Sequence, residues 1–218
     1  GSNTALKRMN KSASLEDNKR ALDILKKHGI YVQAGFILFD DNTTFEELKE
    51  NYEFLREYDW IITKGIFSEM FAADGTLYTE KLKKEDKIVK NDVYDNNKYE
   101  IVDPKVKLTY NALKKWHKSH MKLYDMIIDP ISSPKAIDET GEKSFYDLFY
   151  QLKLKDLDFM KMVLDDVERG ITERELNEKV IAQIIGNSEF YSSINRSGQA
   201  LCEKYNLNYD GKENPFIR

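Results

Sequence analysis

Residues 31–55 read YVQAGFILFDDNTTFEELKENYEFL. An apolar run ends at Asp40, Asp41 and Asn42. Two threonines follow, and Phe45, Leu48, Tyr52 and Leu55 then repeat at helical spacing. The run from Ile30 to Phe39 is rich in β-branched and aromatic residues, the pattern of a buried strand. Thr44, with Glu47 three residues on, has the capping-box spacing of a helix start. The stretch therefore predicts a strand, a polar turn and a helix, with small polar groups at the strand's C-terminal edge.

Upstream, residues 14–28 predict a helix with Ser14 as cap, Asp17 three residues on, and Gly29 just past its end. Downstream, WIITKGIFSEMF (60–71) predicts a second strand. Helix, strand, helix, strand with short connections is the order of a parallel α/β unit. AADGTLYTEKL then predicts a turn and a short helix. Residues 81–103 predict a polar excursion with a short hairpin around IVKNDVYDNNKYEIVD. From Pro104 the pattern is helical: one helix marked by Val106 to Tyr124, a linker SPKAIDETGEKS, and a long amphipathic stretch through Phe145, Phe149 and Phe159 ended by Gly170. A capped helix begins at Thr172, a last helix follows, and the tail YDGKENPFIR is expected to fray. The expected class is α/β followed by all-α, divided into residues 1–80, 81–103 and 104–218.

Composition narrows the function classes. The chain has 218 residues, 34 Lys+Arg against 38 Asp+Glu, and a net charge of −4, so a nucleic-acid footprint is not expected. Cys202 is its one cysteine, which rules out an internal disulfide and points to a reducing compartment. No apolar run is long enough to span a membrane. A soluble, cytoplasmic protein with no membrane or nucleic-acid partner is expected.

Two parallel strands with two helices cannot close a barrel or build a stable open sheet. Residues 1–80 are therefore expected to end a larger α/β domain whose earlier strands lie upstream of Gly1 or come from another chain. Ligands of parallel α/β folds sit at the C-terminal strand ends, here FDDNTT and SEMFAADGT.

GSNTALKRMNK resembles the segment after the fourth strand of radical SAM enzymes. ALDILKKHGIYVQAGFILF is similar to that family's passage into its fifth strand, TTFEELKENYEFL to the following helix, and FSEMFAADGTLYTEKLKKE to the sixth strand and its closing element. The resemblance covers roughly residues 1–85 and implies the C-terminal fragment of a parallel (β/α) partial barrel followed by a helical domain. Where the common family pattern reads Gly-x-Pro-x-Glu-Thr, this chain has Phe39-Asp40-Asp41-Asn42-Thr43-Thr44. That variant is similar to members with an N-terminal cobalamin-binding domain, among them methyltransferases and anaerobic cyclases.

The resemblance implies S-adenosylmethionine and a [4Fe–4S] cluster as cofactors of the parent enzyme, with cobalamin added by the subfamily variant. It implies reductive cleavage of S-adenosylmethionine to a 5′-deoxyadenosyl radical, with methyl transfer in cobalamin-dependent relatives, acting on a small-molecule or peptide substrate. The family's Cys-x-x-x-Cys-x-x-Cys loop is absent here. The chain is thus expected to be the C-terminal portion of a longer enzyme, to need the missing N-terminal part as partner, to retain no cofactor and to be inactive alone.

By the same resemblance, Ile37, Leu38 and Phe39 would line the adenine pocket and Ser2 would lie near the ribose or methionine end. The plainer alternative makes the first three core residues and Ser2 part of a Gly-Ser expression scar. Asp40 and Asp41 read either as substrate-facing acids or as carboxylates favoured at a helix N-terminus. Glu69 reads as a cavity acid or as a surface ion-pair partner. His117 and His120 share a helix face, yet no third ligand has matching spacing, so no metal site is expected. Cys202 reads as a small buried hydrophobe. Two rival functions remain. A helical interaction module would expose an apolar patch on residues 145–164. An aldolase-like barrel would need a strand-end lysine, and Lys64 lies too early for that.

Overall fold

The computed structural model describes residues 1–90, 97–132 and 137–207. Among these the protein is mostly helical. In chain order the helices are α1 (Asn3–Arg8), α2 (Leu15–Lys27), α3 (Phe45–Glu57), α4 (Leu77–Lys84), α5 (Pro104–Ser132), α6 (Glu139–Glu168), α7 (Glu173–Gly186) and α8 (Ser188–Lys204). The one regular sheet among the described residues is the antiparallel pair β1 (Ile88–Lys90) and β2 (Lys98–Tyr99). This is the hairpin expected in the polar excursion; its turn and the tail from Tyr209 lie outside the described residues.

The local start signals hold. Ser14 with Asp17, Thr44 with Glu47, and Thr172 with Glu175 each form a reciprocal capping box. Asp103 Oδ1 accepts from the Lys105 and Val106 N–H groups just after Pro104, which opens α5. The expected linker SPKAIDETGEKS is shorter than read. Asp138 caps a helix that already begins at Glu139, its Oδ1 accepting from the Gly141 N–H (2.8 Å); residues 133–136 lie outside the described residues.

The parallel barrel fragment is not there. The stretches 30–39 and 60–71, expected as strands, run side by side with only two isolated parallel bridges, Gln33 to Ile62 and Phe39 to Glu69. The two bridges lie six residues apart on one stretch and seven on the other. A continuous ladder cannot absorb that extra residue. Gly65, at φ +74°, takes it up in a tight turn closed by its N–H on the Thr63 carbonyl (2.9 Å). At the far end the Leu38 and Phe39 N–H groups converge on the single carbonyl of Ser68 (3.2 and 3.0 Å). Tyr31, Gln33 and Ile37 expose their side chains and Gly35 its backbone, while 32, 34 and 36 turn toward α2 and α3; the exposed side is met by Tyr146, against Tyr31, and by Ser132, which donates to Gln33.

The core lies among α3, α5, α6, α7 and α8. Trp116 of α5 stacks on Phe159 of α6 with centroids 3.9 Å apart, and Tyr191 of α8 closes edge-on against the indole. Phe145, Leu148, Phe149, Leu152, Met160 and Val163 are buried along α6. The face that an interaction module would have to expose is thus interior. The extended stretches are tied to α6 by Tyr146, whose hydroxyl donates to the Trp60 carbonyl (2.7 Å), and by Tyr150, whose hydroxyl donates to Asp59 (2.8 Å).

Candidate functional site

The polar edge that ends the 31–39 run is built from buried ion pairs. Arg8, on the last turn of α1, places its guanidinium between two carboxylates. It donates to Asp40 at 2.8 Å and to both oxygens of Glu47 at 2.8 and 2.9 Å. Asp40 and Glu47 are almost fully buried. Burial opposes the Arg8 charge, but the hydrogen bonds to Glu47 and Asp40 outweigh it and raise the guanidinium above its ordinary range. Asp41 is sealed as well. Lys87 Nζ donates to its Oδ2 (2.7 Å) and the Tyr78 hydroxyl to its Oδ1 (3.2 Å). Neither reading of Asp40 and Asp41 from sequence describes this. They are interior acids that fasten α1, α4 and the stretch before β1 to the strand end.

Next to that edge lies a cleft of about 350 Å³ between α1, α2 and the 34–37 stretch. Ser2 and Ile37, two of the four residues implied for the nucleoside pocket, line it together with Gly35, Phe36 and Asn51. Ile37 is 37% exposed. Ser2 is 1% exposed, and its Oγ has no hydrogen-bond partner, an unusual state for a buried hydroxyl. Leu38 and Phe39 do not reach the cleft. They are 1% and 0% exposed in the main core, and their N–H groups are spent on Ser68.

The histidine pair is not arranged for a metal. His120 Nε2 lies 2.9 Å from Asp156 Oδ1, which also accepts from the Trp116 indole (2.7 Å), while the Tyr124 hydroxyl takes Oδ2 (2.7 Å). Burial acts against the Asp156 charge, and His120 with these donors overcomes it and holds the carboxyl below its usual value. His117 turns the other way, stacking on Phe67 with its Nδ1 buried and unpaired; burial pushes its proton affinity down. Among the described residues no three His, Cys, Asp or Glu groups stand where they could share an ion. A [4Fe–4S] cluster needs three thiolates, and Cys202 is a single thiol buried in α8, so the residues present do not fit that group. No described helix is long and apolar enough to cross a membrane.

Three further residues matter here that the sequence analysis did not single out: Arg8, Asp156 and Lys153. Arg8 acts across 32 and 39 residues, beyond any local pattern. Asp156 and Lys153 stand on the apolar stripe of α6 among Phe149, Leu152, Leu157 and Phe159, and a charge at that position was a readable sign. Lys153 Nζ donates to the Ile61 carbonyl (2.5 Å), and burial lowers its affinity for a proton to about 7.

No family model matches the sequence, and no solved structure does. The chain is 34% identical over 105 residues to an anaerobic magnesium-protoporphyrin IX monomethyl ester cyclase of Rubrivivax gelatinosus. The match supports a distant radical SAM-like relationship. It takes in 45% of this chain and spans only 17% of the relative's length.

Proposed function

We propose that this chain is the C-terminal part of a radical SAM enzyme of the cobalamin-binding type, the class in which S-adenosylmethionine is cleaved reductively to a 5′-deoxyadenosyl radical. Its partner is the part of the enzyme that carries the Cys-x-x-x-Cys-x-x-Cys loop, since the one cysteine of this chain, Cys202, cannot supply the three thiolates of a cluster. The chain's own contribution is a wall of the nucleoside pocket and a helical cover beside it.

The observation that carries this reading is the Ser2 hydroxyl, buried without a partner in a cleft that it shares with Ile37. A ribose or carboxylate oxygen of the ligand supplies the missing hydrogen bond, and Ile37 offers an apolar surface to the adenine face. Leu38 and Phe39 act from behind, as the packed support that fixes Ile37. The partial identity to the cyclase supports the same reading.

The test has two stages. S-adenosylhomocysteine is titrated into the chain and followed by NMR. Shifts at Ser2, Gly35 and Ile37 that disappear in Ile37→Asp are expected, and shifts confined to other surfaces count against the pocket. Under anaerobic reduction, 5′-deoxyadenosine is then measured for the chain alone and for the longer protein containing the cysteine loop. The expected result is none alone and formation in the longer protein. Absence from a cluster-loaded longer protein overturns the enzyme reading.

A further inference from the structure

Glu69 is the hub of an open polar cluster that the nucleoside cleft does not use. Its Oε2 accepts from the Tyr110 hydroxyl (2.7 Å), and its Oε1 faces Lys98 Nζ (3.3 Å) and Lys114 Nζ (3.9 Å). Lys114 Nζ also donates to the Tyr110 oxygen (2.6 Å). Tyr110 and Lys114 stand four residues apart on α5 and share a face. Their floor is aromatic: the Phe67 centroid lies 5.7 Å from Lys114 Nζ, and Phe39 meets Tyr110 edge-on at 5.2 Å. His117 follows on the same face and stacks on Phe67.

Lys114 differs from the other lysines in its surroundings. Lys19, Lys49, Lys64, Lys83 and Lys87 each hold the proton more tightly, chiefly through a carboxylate hydrogen bond. Lys114 and Lys153 hold it less tightly, above all because of burial. Around Lys114, Glu69 opposes that effect, while Lys98 and Lys118 add to it. Lys153 is 1% exposed and out of reach, whereas the Lys114 side chain is 31% exposed. A partly desolvated lysine beside a second cation is the setting in which an amine becomes nucleophilic.

We propose that Lys114 is a reactive amine that forms an imine with a carbonyl-bearing ligand lying over Phe67, with Tyr110 and Glu69 carrying the protons. Tyr110 passes its hydroxyl proton to Glu69 and takes one from the Lys114 ammonium. The freed amine lone pair adds to the carbonyl carbon, and the carbonyl oxygen becomes a hydroxyl by taking a proton back through Tyr110. The added nitrogen, now positively charged, gives up one proton to Glu69, and Glu69 returns that proton to the hydroxyl, which leaves as water as the carbon–nitrogen double bond forms; a protonated imine remains on Lys114, with Tyr110 and Glu69 as they began. No electron is gained or lost.

The intact chain is incubated with benzaldehyde and sodium cyanoborohydride, which traps imines by hydride addition. Modification of each lysine is then followed by peptide mass spectrometry between about pH 6 and pH 10. At neutral pH Lys114 is expected to react on the order of fivefold faster than the exposed Lys27 and Lys143. Tyr110→Phe is expected to slow Lys114 while leaving Lys27 unchanged. Lys98→Met, by removing the neighbouring charge, is expected to move the Lys114 profile to higher pH. A Lys114 rate in the unaltered protein no greater than that of Lys27 and Lys143 overturns the proposal. So does a fast Lys114 that Tyr110→Phe leaves as fast, because the relay is then idle.

Discussion

The Arg8 guanidinium lies 2.8 Å from Asp40 and 2.8 Å from Glu47, one cation between two buried carboxylates. α1 itself contributes no buried residue to the core, so this contact is its main anchor. Arg8→Met leaves two sealed negative charges without their partner. Removing one member of a buried pair costs about 3–5 kcal/mol, and a loss of that size is expected in the unfolding free energy, read as a lower urea midpoint at constant slope. A loss below about 1 kcal/mol would mean that the pair is solvated like a surface bridge.

Lys153 sets a pH dependence of stability. Its folded value of about 7 lies below the ordinary 10.5, so the folded state binds fewer protons than the unfolded chain between those two values. Stability is therefore expected to rise as pH increases from about 7 toward 10.5, and the penalty for the charge to be fully present below 7. Lys153→Met removes this term. The difference between the two proteins' unfolding free energies should shrink or reverse in favour of the unaltered chain as pH rises, and a constant difference counts against the shift.

Asp156 accepts from Trp116 and Tyr124 and faces His120 at the centre of the helical core. Asp156→Ala orphans these groups at once, and a loss of about 3–5 kcal/mol is expected, read by thermal or urea unfolding. In the unaltered protein the carboxyl is held below 3.8, so its contribution is complete above that value and is lost as pH falls through the folded value. Asp156→Ala should accordingly be less sensitive to acid than the parent.

Gly65→Ala is expected to destabilise by about 1–3 kcal/mol. The backbone there has φ +74°, and a Cβ would come within 2.5 Å of His117 Nδ1. Replacing His117 by Ala in the same chain opens that space, so Gly65→Ala should cost less in the double variant. Equal costs would show that the backbone angle alone is responsible.

The helix starts were legible because a cap and its answering acid sit three residues apart: Ser14 with Asp17, Thr44 with Glu47, Thr172 with Glu175. The run Ile30–Phe39 was legible as an extended stretch but not as an irregular one. Its irregularity is decided by the register against residues 62–69, a relation that no window on either segment contains. Residues Ile37, Leu38 and Phe39 looked alike in sequence and differ in the structure, because two successive N–H groups share the Ser68 carbonyl and draw the last two residues inward. Arg8 was invisible for want of a nearby acid. Asp156 was not, since an acid three residues before Phe159 and four after Leu152 must fall on the apolar face.

The surplus residue near Gly65 makes chain length here a choice between two structures. Deleting one residue from 63–66 would bring the two stretches into step and allow an unbroken parallel ladder from Gln33 to Phe39. The same deletion would remove or displace the glycine against which His117 lies. Insertions and deletions at this point therefore trade backbone pairing for a seat beneath the imidazole. A deletion variant that gained a slow-exchanging amide at Phe36, between the Ala34 and Leu38 amides that are already bonded, while loosening around His117 would display that exchange directly.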